Sequence, residues 1–481
     1  MHLTPVICAA LGAAGGFYLL FRAPLAVITA VMVLFLAALS FFRVLSSLDP
    51  KSRVLQITAL CSMVFTAGLG IGVSAANAGR AEIIFGIPEK NITAVEGVLL
   101  EDPRVVSGGS VMAEVSLKRC AGAGDLRVSS SGEIVVFFPQ LNAETIKQFG
   151  RGASVFAEGT LRSGSRGWTF SASSLHIVKP APPVEQMRTN VRLSLIKRLE
   201  NRNWGGLALA LLLGIRDNLD SEFTQLYGKA GLSYILSLSG MHLAVITALI
   251  AFVLKKPLGL KVSVVLSSVI IILYCLLVGP SPSLIRAALM YLLGVIAVLG
   301  ALPKKAAAVL AFSFLIQIII RPADGNSLSF ILSYLALLGI LIIGKALSSL
   351  FAGKIPDFVL QPVSVSCGAF LATAGICSIT FGTLAPVGII AGLLIVPLTT
   401  VFMTVSVIYL MFDLFSISAF LNYPLFWLYR LMEIIASAAG KAPGISMNPV
   451  LVIVLSIVIS ILIILFDCRR RAVLLKIKPF L

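Results

Sequence analysis

The sequence predicts a polytopic α-helical membrane protein, with about twelve transmembrane helices and one small all-β domain inserted after the third. Three observations lead there. Of 481 residues, 58% are hydrophobic and 12% charged, and the mean hydropathy is +1.01, well above what soluble chains reach. Runs of roughly 20 apolar residues, the length needed to cross about 30 Å of hydrocarbon, recur between short polar breaks. Those runs stop over residues 91–178, where short alternating segments take their place. A cytosolic enzyme is excluded.

Taken in order, the apolar spans begin at residues 6–21, 25–42 and 54–76, the first predicted domain (1–76). No Lys or Arg precedes the first run, unlike the basic start of a signal peptide, so it reads as a retained helix. Arg43, Lys51 and Arg53 place the loop between the second and third spans in the cytoplasm. The segment after residue 76 is therefore expected on the external face.

Residues 91–178 form the second domain. Alternation over 94–101, 111–118, 133–138, 153–161 and 168–178, broken by SGGS, AGAGD and SGSRG, predicts five strands joined by turns. A five-stranded domain of this size suits a small barrel, the OB-fold first among candidates. Its charges balance, with eight Lys plus Arg against eight Asp plus Glu, so net charge gives no support to nucleic-acid binding there. Trp168 and Phe170 are its candidate faces for stacking unpaired bases, although filling so small a barrel takes most of the aromatics.

Residues 186–216 read as an amphipathic, interfacial segment. Val191, Leu195 and Leu199 recur at helical spacing beside Arg188, Arg192, Lys197, Arg198 and Arg202. Residues 207–215 are too short to cross and end in Arg216 and Asp217. Nine further spans follow within 217–467, near 231–254, 262–279, 284–300, 306–320, 328–344, 363–379, 384–412, 414–436 and 450–466, before a basic tail at 468–481. The net charge of +17 is then largely topological, because Lys255, Lys256, Lys261, Lys304, Lys305, Lys345, Lys354 and the tail all fall on the cytoplasmic side.

Polar residues inside apolar spans mark candidate sites. SLSGMH brings Ser237, Ser239, Gly240 and His242 into a span of Leu, Ile and Val, where helix packing competes with function as the explanation. PSPSLIR puts Ser283 and Arg286 near the external start of a span. An arginine at that depth costs roughly 2.5–3.5 kcal/mol unless it reaches water, a partner or an anion. Asp220 or Ser221 is placed to cap a helix running to Tyr227. GILIIGKA (339–346) resembles a phosphate-binding loop, but Ala346 replaces the needed Ser or Thr and the context is an apolar span. Seven cysteines, six of them in or beside apolar runs, and three histidines give neither a disulfide framework nor a multi-histidine metal site. No cofactor, metal or catalytic residue is expected.

With these residues in view, the chain resembles the ComEC family of competence proteins, bacterial membrane channels for incoming transforming DNA. The resemblance rests on the order of three helices, small barrel and polytopic domain, and on four segments: GLSYILSLSGMH (231–242), PSLIRAALM (282–290), SFILSYLALLGIL (329–341) and LAPVGIIAGLLIVP (384–397). The sequence departs from the family pattern at Tyr234, Ile331 and Gly392, where His, Gln and Asn are customary. Many relatives carry a metallo-β-lactamase-like domain after the last helix; this sequence ends at Leu481 without an H-x-H-x-D-H pattern, so a form lacking that domain is expected.

The resemblance implies passage of single-stranded DNA through the bacterial cytoplasmic (inner) membrane, with the barrel outside and the carboxyl terminus inside. Ser239, His242, Ser283, Arg286, Arg216 and Asp217 are the candidate lining of the path, none of them making or breaking bonds. Single-stranded DNA and membrane lipid are the expected partners, with an external DNA receptor, a cytoplasmic ATPase motor and a separate nuclease around them. The alternative is a secondary transporter of a small or lipid-linked anion, using His242 or Glu433 for proton coupling. A hydrolase built on Ser239 and His242 lacks an orienting acid.

Overall fold

The computed structural model describes residues 10, 13, 14, 83–105, 111–122, 127–138, 149–164, 167–301, 305–413, 417–442 and 444–477. The three amino-terminal spans lie outside the described residues, apart from Ala10, Ala13 and Ala14. The chain divides into two compact units: residues 76–209 with 215–218, and residues 1–75 with 210–214 and 219–481.

Among the described residues the first unit holds seven strands: β1 (Ile92–Leu99), β2 (Arg104–Val105), β3 (Val111–Gly122), β4 (Arg127–Ser129), β5 (Glu133–Phe138), β6 (Ser154–Gly164) and β7 (Gly167–Lys179). Five of them close on themselves in the order β1-β6-β7-β5-β3-β1, with β5 and β7 parallel and every other neighbouring pair antiparallel. This is the expected five-stranded barrel. Alternation along β5 shows how the sequence makes it, since Ile134, Val136 and Phe138 are buried while Glu133, Val135 and Phe137 are not. The core also takes Cys120, Val155 and Phe170, and Phe138 meets Phe149 edge to face at 4.9 Å. At the β1 irregularity between Glu96 and Gly97 the strands run so close that a Cβ on Gly97 would stand 2.4 Å from the Ser116 carbonyl oxygen.

Helix α1 (Pro183–Leu199) follows the barrel. Its buried residues are Arg188 and Leu199, and Arg188 ion-pairs with Asp102 and Glu185, while Arg192 reaches Asp102 at 3.4 Å. Its apolar Val184 and Met187 are 66% and 70% exposed. Of the three residues at helical spacing, Val191 is 38% exposed and Leu199 is buried. Charged partners in the β1–β2 connection fix which side of the helix is covered, and hydrophobic spacing alone carries no record of them.

The chain continues as α2 (Gly205–Leu213), nine residues and almost wholly buried, too short to cross a membrane. The second unit then holds α3 (Ser221–Lys229), α4 (Ser233–Leu236), α5 (Gly240–Val278), α6 (Pro282–Leu299), α7 (Ala306–Ile320), α8 (Leu328–Phe351), α9 (Asp357–Phe381), α10 (Val387–Asp413), α11 (Ala419–Gly440) and α12 (Pro449–Ile477). Asp220 caps α3 as expected, accepting from the Glu222 N–H at 2.9 Å. Helix α5 is broken at Gly259, whose φ of 72° suits glycine.

Among the described residues six segments are long and apolar enough to cross a membrane: Lys261–Val278, Pro282–Leu299, Leu328–Phe351, Asp357–Phe381, Val387–Asp413 and Pro449–Arg470. The six leave out the first part of α5, which carries Lys255 and Lys256 shortly before the break at Gly259, and α11, which carries Arg430 and Glu433. Helix α7 has 15 residues, about 22 Å at 1.5 Å per residue, and falls short of a hydrocarbon core. The twelve expected spans are thus not reached among the described residues.

Small residues set the packing of this unit. A Cβ on Gly339 of α8 would lie 2.3 Å from the Gly368 carbonyl oxygen and 2.4 Å from the Ala372 Cβ on α9. The P-loop-like stretch 339–346 is continuous helix through a π-helical turn at Ile340–Gly344, so it forms no phosphate-binding loop.

Candidate functional site

The four segments that stood out in the sequence lie far apart along the chain, yet they form one continuous set of contacts in the helical unit. The first contact joins 231–242 to 384–397. Gly231, at φ 71°, and Gly388 press backbone on backbone, since a Cβ on Gly231 would stand 2.8 Å from the Ala385 carbonyl oxygen and one on Gly388 2.9 Å from that of Gly231. The Tyr234 hydroxyl lies 2.7 Å from where a Cβ on Gly392 would be. Two departures from the family pattern thus meet in space: the phenol fills room that a side chain at 392 would take.

The second contact joins 231–242 to 282–290. Ser239 precedes α5, and His242 Nδ1 accepts from the Ser239 N–H at 3.1 Å and lies 3.0 Å from Ser239 Oγ. His242 is wholly buried. Both residues thus hold the start of α5, in the reciprocal manner of a capping box. Gly240, the first helical residue, faces α6: a Cβ there would stand 3.7 Å from both Arg286 Nη2 and Ala287 Cβ.

The third contact joins 282–290 to 329–341. Ser283 and Ser329 share a hydrogen bond at 2.9 Å. The Arg286 guanidinium lies 5.8 Å from the centroid of the Tyr334 ring, within cation–π range. Tyr334 in turn donates to Gln317 Oε1 at 3.1 Å, and Gln317 Nε2 donates to the Pro282 carbonyl and to Asp324 Oδ2, both at 3.0 Å. Asp324 is also paired with Arg321 Nε at 3.1 Å.

Arg286 is the arginine of this set. It is 6% exposed, its Nε is buried without a hydrogen-bond partner, as are His242 Nε2 and Ser333 Oγ, and it has no ion pair among the described residues. The carboxylate beside this region, Asp324, is already engaged by Arg321 and Gln317. A guanidinium cannot shed its charge at ordinary pH, so leaving it buried without an anion is costly.

The remaining candidates fall elsewhere. Arg216 and Asp217 are exposed and belong to the barrel-containing unit, where Asp217 acts electrostatically on Arg192. Ser239, His242, Ser283 and Arg286 belong to the helical unit. Phe170 is 0% exposed and presents no face for stacking, because its position on β7 points into the barrel core. Trp168, near the start of the same strand, is half-buried and edge-on to Phe85 at 5.6 Å. A groove on the barrel is lined by Thr93, Glu158, Thr160, Ser171 and Ser173, with Glu158 its one charged residue, a poor match to a phosphate backbone.

Sequence reasoning passed over Gln317 and Tyr334. Gln317 is the one strongly polar side chain in the run 306–320, a signal of the same kind that singled out His242. Tyr334 sits inside the quoted segment 329–341 without having been assigned a role.

A relative from Bacillus subtilis (strain 168), ComE operon protein 3, is 29% identical over 166 residues, 32% of this chain and 21% of that protein. An uncharacterized protein from Aquifex aeolicus (strain VF5) is 25% identical over 257 residues, 53% of this chain and 58% of its own length. The chain therefore spans about a fifth of the first relative and a little over half of the second. No solved structure matches it. The family model described as competence protein matches residues 211–471, more than half of the chain and all four contacting segments, and the chain accordingly belongs to the competence protein family.

Proposed function

We propose that this chain is the channel subunit through which single-stranded DNA crosses the bacterial cytoplasmic membrane during natural transformation. The observation that carries this reading is the convergence of the four segments inside the unit that matches the competence family. A polyanion crossing about 30 Å of hydrocarbon needs a polar, cation-bearing route, and this is where the apolar bundle gathers its polar groups and Arg286. Ser239, His242 and Ser283 shape the route by holding the ends of α5 and α6, while Arg286 meets the strand. None of them performs covalent chemistry.

In this reading the barrel, whose closure order is that of an OB-fold, stands on the external side of the membrane, with Trp168 as its remaining stacking face. The carboxyl terminus is cytoplasmic, and the driving force comes from a separate motor, with a separate nuclease preparing the strand. The test is a deletion strain scored for transformation with double-stranded and with single-stranded donor DNA. Loss of transformants with both donors, restored by the gene in trans, is the expected result. Normal transformation with both donors would sink the proposal.

A further inference from the structure

We propose that the start of α5 and Arg286 together form a binding site for a phosphate oxyanion, and, resting on the reading above, that its occupant is a phosphodiester group of the passing strand.

Two independent features meet at this point. Helix α5 begins at Gly240, and the first N–H groups of a helix have no acceptor within it and carry the positive end of its dipole. That alone selects nothing. The second feature is Arg286, which comes from a different helix, is more than nine-tenths buried, and brings Nη2 to within 3.7 Å of the position a Gly240 side chain would fill. Its Nε has no partner. Two positive groups therefore face one another with no carboxylate paired to Arg286 among the described residues. This is the arrangement of a receptor for an anion rather than of a finished structural pair.

The shape narrows the ligand class. Gly240, lacking a side chain, lets the guanidinium come up to the helix start, with Nη2 3.7 Å from where its Cβ would be, and the Tyr334 ring bounds Arg286 on another side. A planar guanidinium and backbone N–H groups both match a compact oxyanion with several acceptors, as in phosphate and phosphodiesters. Ser239 and His242 hold the first turn in place by bonding to each other.

The experiment uses the full chain purified in an uncharged detergent at fixed ionic strength, with the thermal unfolding midpoint as readout. The probes are inorganic phosphate, a short oligothymidylate and phosphatidylglycerol, each against wild type, Arg286→Gln and Gly240→Ala. Phosphate is expected to raise the wild-type midpoint, and both variants should weaken its apparent affinity about tenfold or more. Gly240→Ala guards against misfolding: its methyl group meets Arg286 and Ala287 at 3.7 Å, an ordinary contact, and alanine favours the helix. Its unliganded midpoint should therefore hold or rise while phosphate binding falls.

An equal phosphate response in wild type and both variants would overturn the site. Loss of phosphate and oligothymidylate binding in both variants, together with loss of transformation, supports the site and its DNA occupant. Loss of phosphate binding with transformation intact keeps the site and removes DNA as its occupant. Protection by phosphatidylglycerol but not by oligothymidylate removes DNA likewise, and assigns the site to a lipid headgroup.

Discussion

Arg188 in the barrel-containing unit is 8% exposed and Arg286 in the helical unit 6%, so burial alone does not tell them apart. Their surroundings do. Arg188 is held by Asp102 and Glu185, and neighbouring Arg192 shares Asp102. Arg286 lies over an aromatic ring with no carboxylate paired to it among the described residues. A buried charge that is already neutralised closes a structure, whereas one left open points to something that arrives later. The barrel has settled its electrostatics internally, and the helical unit has not.

The largest expected effect tests whether the helical unit holds Arg286 by rigid packing. Gly339→Leu forces a side chain into the place where the Gly368 carbonyl oxygen stands 2.3 Å from a Cβ. Helices α8 and α9 must then part, at the upper end of overpacking costs, about 4 kcal/mol. Little monodisperse protein should survive extraction, measured by size-exclusion chromatography against wild type. Normal yield and midpoint would show that α8 and α9 can separate, and that Tyr334 on α8 does not fix Arg286.

Next come the two arginines themselves. Asp102→Ala removes a carboxylate from both Arg188 and Arg192, and should destabilise the barrel-containing unit by about 3 kcal/mol, the low end for breaking a buried pair. Limited proteolysis of the full chain, followed at cleavage sites between residues 91 and 199, reads that loss. Arg286→Met should do the reverse. It removes a buried charge without orphaning a partner and keeps similar volume, so the unfolding midpoint should stay level or rise. Were Arg286→Met as damaging as Asp102→Ala, an internal anion would already be holding Arg286, and the contrast between the units would collapse.

This contrast also explains what could be read from the sequence. The strands were legible because Ile134, Val136 and Phe138 alternate with Glu133, Val135 and Phe137, and alternation is a local property. The four segments were legible as unusual residues in apolar runs. Their meeting was not, because contacts such as Ser283 with Ser329, 46 residues apart, and Arg188 with Asp102, 86 apart, leave no periodic trace. Trp168 and Phe170 show the same limit within one strand. Residues two apart share a face, yet one is half-buried near a strand end and the other lies in the core, a difference set by what covers β7.

The smallest effect on stability carries the sharpest test of the comparison, because it converts one arginine into the likeness of the other. Gly240→Asp places a carboxylate beside Arg286 Nη2, 3.7 Å from where the new Cβ would stand, an ordinary contact. An acidic side chain at the first position of a helix is favoured by the dipole, by about 0.3–1 kcal/mol, and here it also supplies the missing counter-charge. The folded protein should therefore gain slightly, about 1 kcal/mol, seen as a higher unfolding midpoint in detergent. Transformation should fall at least tenfold, because the variant's own carboxylate occupies what the strand's phosphate needs. A stabilised protein that no longer imports DNA cannot be explained by misfolding. A variant that is stabilised and still transforms normally would mean that Arg286, though open, lies off the path of the strand.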